Sequence, residues 1–211
     1  MFEDFEIDEY VLDSHIVDGL KRLWNTGYPE LYDDKYYFKN EKINNNNLHA
    51  DLRGFLFRFF GDCQDEVSFK RYVFLGWSLC LAVMPTIDGF GVELDVFEDI
   101  LSGLDSVSKS TKPVKWSIDD STIPGGALEA VSVFEDMLHI LGGDQCIDAF
   151  LNMVDSVVEG SAISPTSYEK RIIFNWVIIR SIPSAYSLEL PKVIYSRKME
   201  LYDEWKYNRL S

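Results

Sequence analysis

Hydrophobic positions recur along most of this chain at the three- and four-residue spacing of helices that bury one face. In the first stripe, Leu12, Ile16, Leu20 and Leu23 share a side, and the segment Asn25-Thr26-Gly27 ends it. Between Glu93 and Leu104 the pattern places Phe97, Ile100, Leu101 and Leu104 on the buried face. Stripes of this kind predict helices over residues 12–23, 48–59, 92–107, 124–141 and 147–158.

Two further segments are apolar nearly all round, which is typical of helices in the centre of a core. The first runs from Glu66 to Met84, and Pro85 is expected to end it. The second follows Ser164-Pro165 and is expected to end before Pro183. Its residues 172–179 favour a strand by propensity, so a strand competes there, but the length and the Ser-Pro start favour a helix.

The remaining segments are less regular. Residues 28–43 are rich in tyrosine and read equally as a short helix or a strand, so one minor strand pair stays open. Residues 108–123 form a polar loop around Trp116, and a last helix is expected from 194 to about 205. The sequence therefore predicts an all-α protein of about eight helices, with 1–211 as a single domain. A helical bundle or stacked helical hairpins are the expected architectures.

One pattern occurs twice. The Val-Phe-Glu-Asp sequence at 96–99 returns at 133–136, an offset of 37 residues, within residues 93–101 and 130–138. That period falls within the range of helical repeats. A third copy is missing at the next offset, so two similar amphipathic helices remain the simpler interpretation.

Composition adds a strong and uneven charge. The chain carries 35 acidic and 20 basic residues, a net charge of -15, and residues 61–160 hold 18 of the acids and 5 of the bases. A field of that sign repels nucleic acid and anionic membranes and attracts basic proteins or cations. Solubility alone is the plain alternative.

Three widely spaced cysteines, Cys63, Cys80 and Cys146, argue against a disulfide framework and for a reducing compartment, with buried thiols at the last two. The chain start lacks the basic and apolar regions of a signal peptide. The longest uncharged stretch, Tyr72 to Ile87, is sixteen residues, which is short for a membrane span. We therefore expect a cytoplasmic protein that does not cross a membrane.

Catalytic motifs are missing: the sequence has no Gly-x-Ser-x-Gly, Walker loop, HExxH or EF-hand pattern. His139 follows Glu135 and Asp136 at helical spacing and makes half a metal site with them. However, a histidine in the last turn before Gly142-Gly143 also complements the helix dipole, and we favour that reading. We expect no metal and no cofactor.

The acidic middle is the best functional clue, because residues 86–136 hold eleven acids and three bases. Trp116 in the loop is either an exposed anchor for a partner or a lid on the core. The expected partner-binding residues are Glu98, Asp99, Asp105, Trp116, Asp119, Asp120, Glu135 and Asp136.

Three functions fit this pattern. The first is a non-enzymatic, acidic bacterial immunity or inhibitor protein that neutralises a basic toxin or nuclease. In general style the chain is similar to all-helical immunity proteins, and a homo-oligomer stays open. The second is a helical-repeat adaptor that binds a peptide or partner protein, with Tyr32, Tyr36, Tyr37 and Trp116 as groove residues. The third is a metal-dependent hydrolase with clustered carboxylates, whose pocket would include Asp136 and His139.

Overall fold

The computed structural model describes residues 5, 7, 10–26, 45–109, 118–143, 145–160 and 167–194. Side chains are described for these residues except 26, 45–49, 105–109, 120 and 167–169. The described residues are helical and contain no strand, so the protein is all-α. Its described helices are α1 (Ser14–Thr26), α2 (Asn45–Phe59), α3 (Glu66–Gly89), α4 (Asp95–Lys109), α5 (Leu128–Leu141), α6 (Cys146–Gly160) and α7 (residues 167–186, in three parts).

These seven helices correspond to seven of the eight predicted from the hydrophobic pattern. The predicted buried face of α4 is confirmed, since Phe97, Ile100, Leu101 and Leu104 are all at most 5% exposed. The eighth helix, over 194–205, and the undecided 28–43 stretch lie outside the described residues. Helix α5 begins at Leu128, later than predicted, because residues 125–127 form a separate short 3-10 turn.

Helix α3 is the centre of the fold and packs against α4, α5, α6 and α7. Gly76 allows the closest approach, because a β-carbon there would lie 2.4 Å from the sulfur of Met137 on α5. Among the described residues α3 alone is long and apolar enough to cross a membrane. However, 72% of its most apolar stretch is buried inside the fold, as in the core helix of a soluble protein.

The prediction that Pro85 ends this helix is wrong. Helix α3 continues to Gly89 with Pro85 inside it. An interior proline costs about 3 kcal/mol because it removes one hydrogen bond and crowds the preceding turn. Burial offsets that cost here, since Pro85 is buried and Ile87, one half-turn further on, is fully buried. The helix ends at Gly89, and Gly91, two residues further on, turns the chain with a φ of +69°.

Helix α7 contains the second proline, and the structure again continues through it. Its three parts are Ser167–Trp176, a π-helical turn Val177–Ser181, and Ile182–Tyr186. The N–H of Ile182 donates to the carbonyl of Val177, five residues back, which is the widened turn of a π-helix. That extra residue makes room for the ring of Pro183, which has no N–H to donate. The strand alternative for 172–179 is therefore wrong, because burial on all sides overrides β propensity.

Arg71 of α3 joins the C-terminal ends of α2 and α7. Its Nε donates to the carbonyl of Tyr186 at 3.2 Å, and its Nη1 donates to the carbonyl of Phe59 at 3.1 Å. The guanidinium also stacks on the Tyr186 ring, 3.8 Å from its centroid. A single cation thus satisfies carbonyls at the C-terminal ends of α2 and α7, where positive charge is favourable.

Candidate functional site

An acid-lined groove of about 560 Å³ opens between the start of α4 and residues 118–124. We call it the acidic groove. One wall begins at Gly91, just after the end of α3, and continues through Val92 and Glu93 into the first turn of α4. The opposite wall precedes α5, with a 3-10 turn at Asp120–Thr122. The groove therefore lies within the stretch that the sequence marks as most acidic.

The two walls are held together by an aromatic contact. A β-carbon on Gly126 would lie 2.4 Å from the ring of Phe90, so the ring rests directly on that glycine. Apolar side chains that belong to the edge of the core also line the groove: Val92, Val96, Phe97, Ile118 and Ile123. A partner that enters the groove can thus bury apolar surface as well as meet charge.

Three carboxylates, Glu93, Asp95 and Asp119, line this groove, and all three residues are exposed. None of its described lining residues is a lysine, arginine or histidine. Hydrogen bonds from the Ser121 side chain and then from its backbone N–H, at 3.0 Å, lower the pKa of the Asp119 carboxyl. That carboxylate is therefore fixed in position and negatively charged at physiological pH.

Helix α4 extends the negative surface by one turn. Glu98 and Asp99 follow Asp95 by three and four residues, the spacing that puts side chains on one helix side. Asp95 and Glu98 also lie in the first turn of α4, where carboxylates favour the helix dipole. Part of their role is thus structural.

The other predicted partner-binding residues fall into two groups. Trp116 and the side chains of Asp105 and Asp120 lie outside the described residues. Glu135 and Asp136 are partly buried on α5, and neither lines the acidic groove among the residues described there. The predicted set is therefore not brought into one described patch. Among the members of that set whose side chains are described, Asp119 alone lines the groove, and Glu98 and Asp99 follow Asp95 on α4.

Asp136 has an unusual environment for a carboxylate. Burial raises its pKa to about 6, against the opposing effects of a hydrogen bond from Asn152 and the nearby His139. Asn152 belongs to α6, so Asp136 contacts both helices of the α5–α6 pair. His139 is exposed in the last turn of α5. Within the described ranges, no three histidine, cysteine, aspartate or glutamate side chains lie close enough to hold a metal ion.

The two copies of Val-Phe-Glu-Asp meet in the core through their phenylalanines. Phe97 of α4 and Phe134 of α5 pack edge to face, with centroids 4.9 Å apart and an interplanar angle of 73°. Both rings are essentially buried. This contact brings the acidic helices α4 and α5 together around a shared aromatic pair, while true repetition stays a hypothesis.

Glu93 and Asp95 were counted among the acids but not selected from the sequence. Their position just after Gly91 is the signal that could have found them, because a glycine that turns the chain after a helix often marks the edge of a groove. A second cleft, of about 290 Å³ between α1 and α2, was missed altogether. Its described polar lining residues are His15, Asp18, Arg22, Asp51 and Arg58. These residues come from two helices, and no spacing along the chain could pair them.

Comparison with protein-family models, with curated proteins and with solved structures found no match to this chain. Function must therefore be argued from the site itself.

Proposed function

We propose that this chain is a non-enzymatic, acidic protein-binding domain that acts in the cytoplasm as an inhibitor or immunity protein. Its partner is a basic toxin or nuclease. In this proposal residues 1–211 form a single helical bundle that presents the acidic groove and the adjoining side of α4. The observation that carries the proposal is the groove itself: three carboxylates around an apolar floor, with no basic residue among its described lining.

Charge and shape support different parts of this activity. A net charge of -15 steers a basic protein toward the domain and accelerates its association. The carboxylates of Glu93, Asp95 and Asp119 then set the orientation of bound lysine or arginine side chains. The apolar floor supplies burial that salt does not screen. A basic nuclease held in this way meets carboxylates where it would otherwise contact phosphates.

The apolar floor also favours a second candidate, an adaptor that binds an extended peptide in the same groove. The two candidates differ in their salt dependence. Exposed ion pairs weaken as the Debye length falls, whereas apolar contacts do not. An inhibitor of a basic protein should therefore release its partner at high salt, and a peptide adaptor should retain it.

The test compares three tagged proteins in capture experiments from lysate of the cells that make this protein. The first is the unaltered chain, and the second carries Glu93→Gln, Asp95→Asn and Asp119→Asn. The third is a charge-matched control with three exposed acids removed away from the groove: Glu66→Gln, Glu129→Gln and Glu189→Gln.

We expect one basic protein on the unaltered chain and on the control, but not on the groove variant. The captured protein should dissociate from the chain as the salt concentration rises from about 0.05 M to about 0.5 M. Expression of the captured protein should be toxic, and co-expression of the unaltered chain should relieve the toxicity. Equal capture by all three proteins would contradict the proposal, and capture that persists at high salt would favour the adaptor.

A further inference from the structure

Two of the three cysteines meet in the fold although roughly 80 residues separate them in sequence. Cys63 lies in the turn between α2 and α3, and Cys146 is the first residue of α6. The Cys63 thiol donates to the carbonyl of Gly143 and the Cys146 thiol to the carbonyl of Ile140, at 3.9 Å, so both sulfurs lie at the turn that joins α5 to α6. The sequence gives no sign of this pairing, because neither residue belongs to a CxxC motif.

Both sulfurs belong to a fixed junction between two turns. The Cys63 thiol donates to the carbonyl oxygen of Gly143 at 3.3 Å. The side-chain amide of Gln64 donates to the same oxygen at 3.3 Å. Since Gly143 lies in the turn between α5 and α6, these bonds hold the turn before α3 against the turn before α6.

Both turns are built from residues with left-handed backbone. Gly61 has a φ of +85°, Gly143 of +74° and Gln145 of +53°. The hydroxyl of Tyr72 further fixes the first turn by donating to the carbonyl of Gly61 at 3.1 Å. Backbone geometry and hydrogen bonds between the two turns therefore hold both thiols at this junction.

The three thiols differ in their access to solvent. Cys63 is partly exposed, whereas Cys146 is 1% exposed and Cys80 is fully buried in α3. Cys80 points toward the carbonyl of Val133, at 4.0 Å, on another part of the core. A reagent in solution can thus reach Cys63, and Cys146 lies behind it at the same turn.

We propose that Cys63 and Cys146 form a redox modification site, at which a low-molecular-weight disulfide is converted into an intramolecular Cys63–Cys146 disulfide. In the first step the Cys63 thiolate attacks the small disulfide, forms a mixed disulfide and releases one small thiol. In the second step the Cys146 thiolate attacks the Cys63 sulfur and releases the other small thiol. The protein loses two hydrogens and is oxidised, and the small disulfide is reduced to two thiols.

The second step sets the pace. Burial, and then the contact with Cys63, raise the pKa of the Cys146 thiol well above its ordinary value. Its thiolate is consequently scarce at neutral pH, and the thiolate is the attacking form. Raising the pH should therefore accelerate the second step.

The cross-link would join two turns across a closed loop of roughly 80 residues, a length at which a disulfide strongly restricts the unfolded chain. We expect the oxidised protein to melt about 5–15 °C above the reduced protein. The proposal does not depend on partner binding, and its test needs no partner.

The experiment incubates folded, reduced full-length protein with oxidised glutathione at about pH 8.5, near the ordinary pKa of a thiol. Mass spectrometry of the intact protein and of a non-reducing digest follows the products. We expect a monomer lighter by two hydrogens, a cross-linked peptide pair containing Cys63 and Cys146, and a free Cys80. A reducing agent should restore the original mass and melting temperature.

Three variants complete the design. Cys80→Ser should oxidise like the unaltered chain, and Cys146→Ser should stop at the mixed disulfide on Cys63. Cys63→Ser should not react while folded. A lasting mixed disulfide on the unaltered chain, a covalent dimer through Cys63, a bond that includes Cys80, or no reaction would each overturn the proposal. Mass mapping of the unaltered chain decides the matter even if Cys146→Ser does not fold.

Discussion

The half-buried carboxyl of Asp136 offers a direct test of the α5–α6 contact. Its pKa is raised from 3.8 to about 6, chiefly by burial. The folded protein therefore binds this proton more tightly than the unfolded chain does. Consequently the free energy of unfolding contributed by this group falls as pH rises from 4 to 6, and stays at its low value above pH 6.

The substitution Asp136→Asn removes the charge and leaves an amide that can still hydrogen-bond to Asn152. Full conversion of the pKa difference gives about 3 kcal/mol, because each pKa unit corresponds to about 1.4 kcal/mol. Asp136 is only half-buried, and screening by solvent reduces the expected gain at pH 7.5 to about 1 kcal/mol. Below pH 6 the gain should shrink, since the native carboxyl is then protonated as well.

Urea unfolding followed by circular dichroism at pH 7.5 and pH 5.0 measures this difference. Glu129→Gln is the matched control, because it removes an exposed acid from the same helix and Glu129 is not among the groups that act on Asp136. We expect it to change stability by at most about 0.5 kcal/mol. A variant Asp136→Asn that is less stable at pH 7.5, or that gains equally at both pH values, would refute the argument.

Three further predictions concern packing, and each can be tested by thermal or urea unfolding. Arg71→Lys should lower the free energy of unfolding by about 2 kcal/mol, because lysine keeps the charge but cannot bond both carbonyls and stack on Tyr186. An unchanged stability would show that the bridge between the two carbonyls is not needed. Gly160→Ala should cost about 2–3 kcal/mol, because its β-carbon would lie 2.6 Å from the backbone nitrogen of Ala130. Gly54→Ala is the matched control, because an added β-carbon at Gly54 has no atom within 4 Å. We expect it to stabilise the protein by about 0.5–1 kcal/mol. Equal effects of the two substitutions on stability would contradict both predictions.

The helices themselves were predictable because helical periodicity is a local property. A side chain's position on its own helix depends only on residues three and four away, so the buried face of α4 could be read directly. The two prolines show where this reasoning ends. Pro85 and Pro183 are strong local signals for helix ends, yet burial of the residues beyond them keeps α3 and α7 continuous.

The candidate site was only partly predictable. The acidity of residues 86–136 is visible in the sequence, and Asp119 was selected from it. Glu93 and Asp95 face Asp119 across the groove because the Phe90 ring rests on Gly126. These two residues are far apart in the sequence, so no local pattern predicts their contact. Asp136 was selected for its charge, but tertiary burial gives it a raised pKa and a hydrogen bond to α6.

What the sequence determined by itself is the helical class, the stripes that face the core and the concentration of negative charge in the middle of the chain. These follow from short-range spacing and composition. The tertiary structure alone decided which distant residues share one place in the fold. Cys63 and Cys146 lie at the same turn, and His15 and Asp51 line the same α1–α2 cleft. The physical reason is that such pairs depend on the packing of whole helices, which the shared apolar core fixes and which no local pattern encodes.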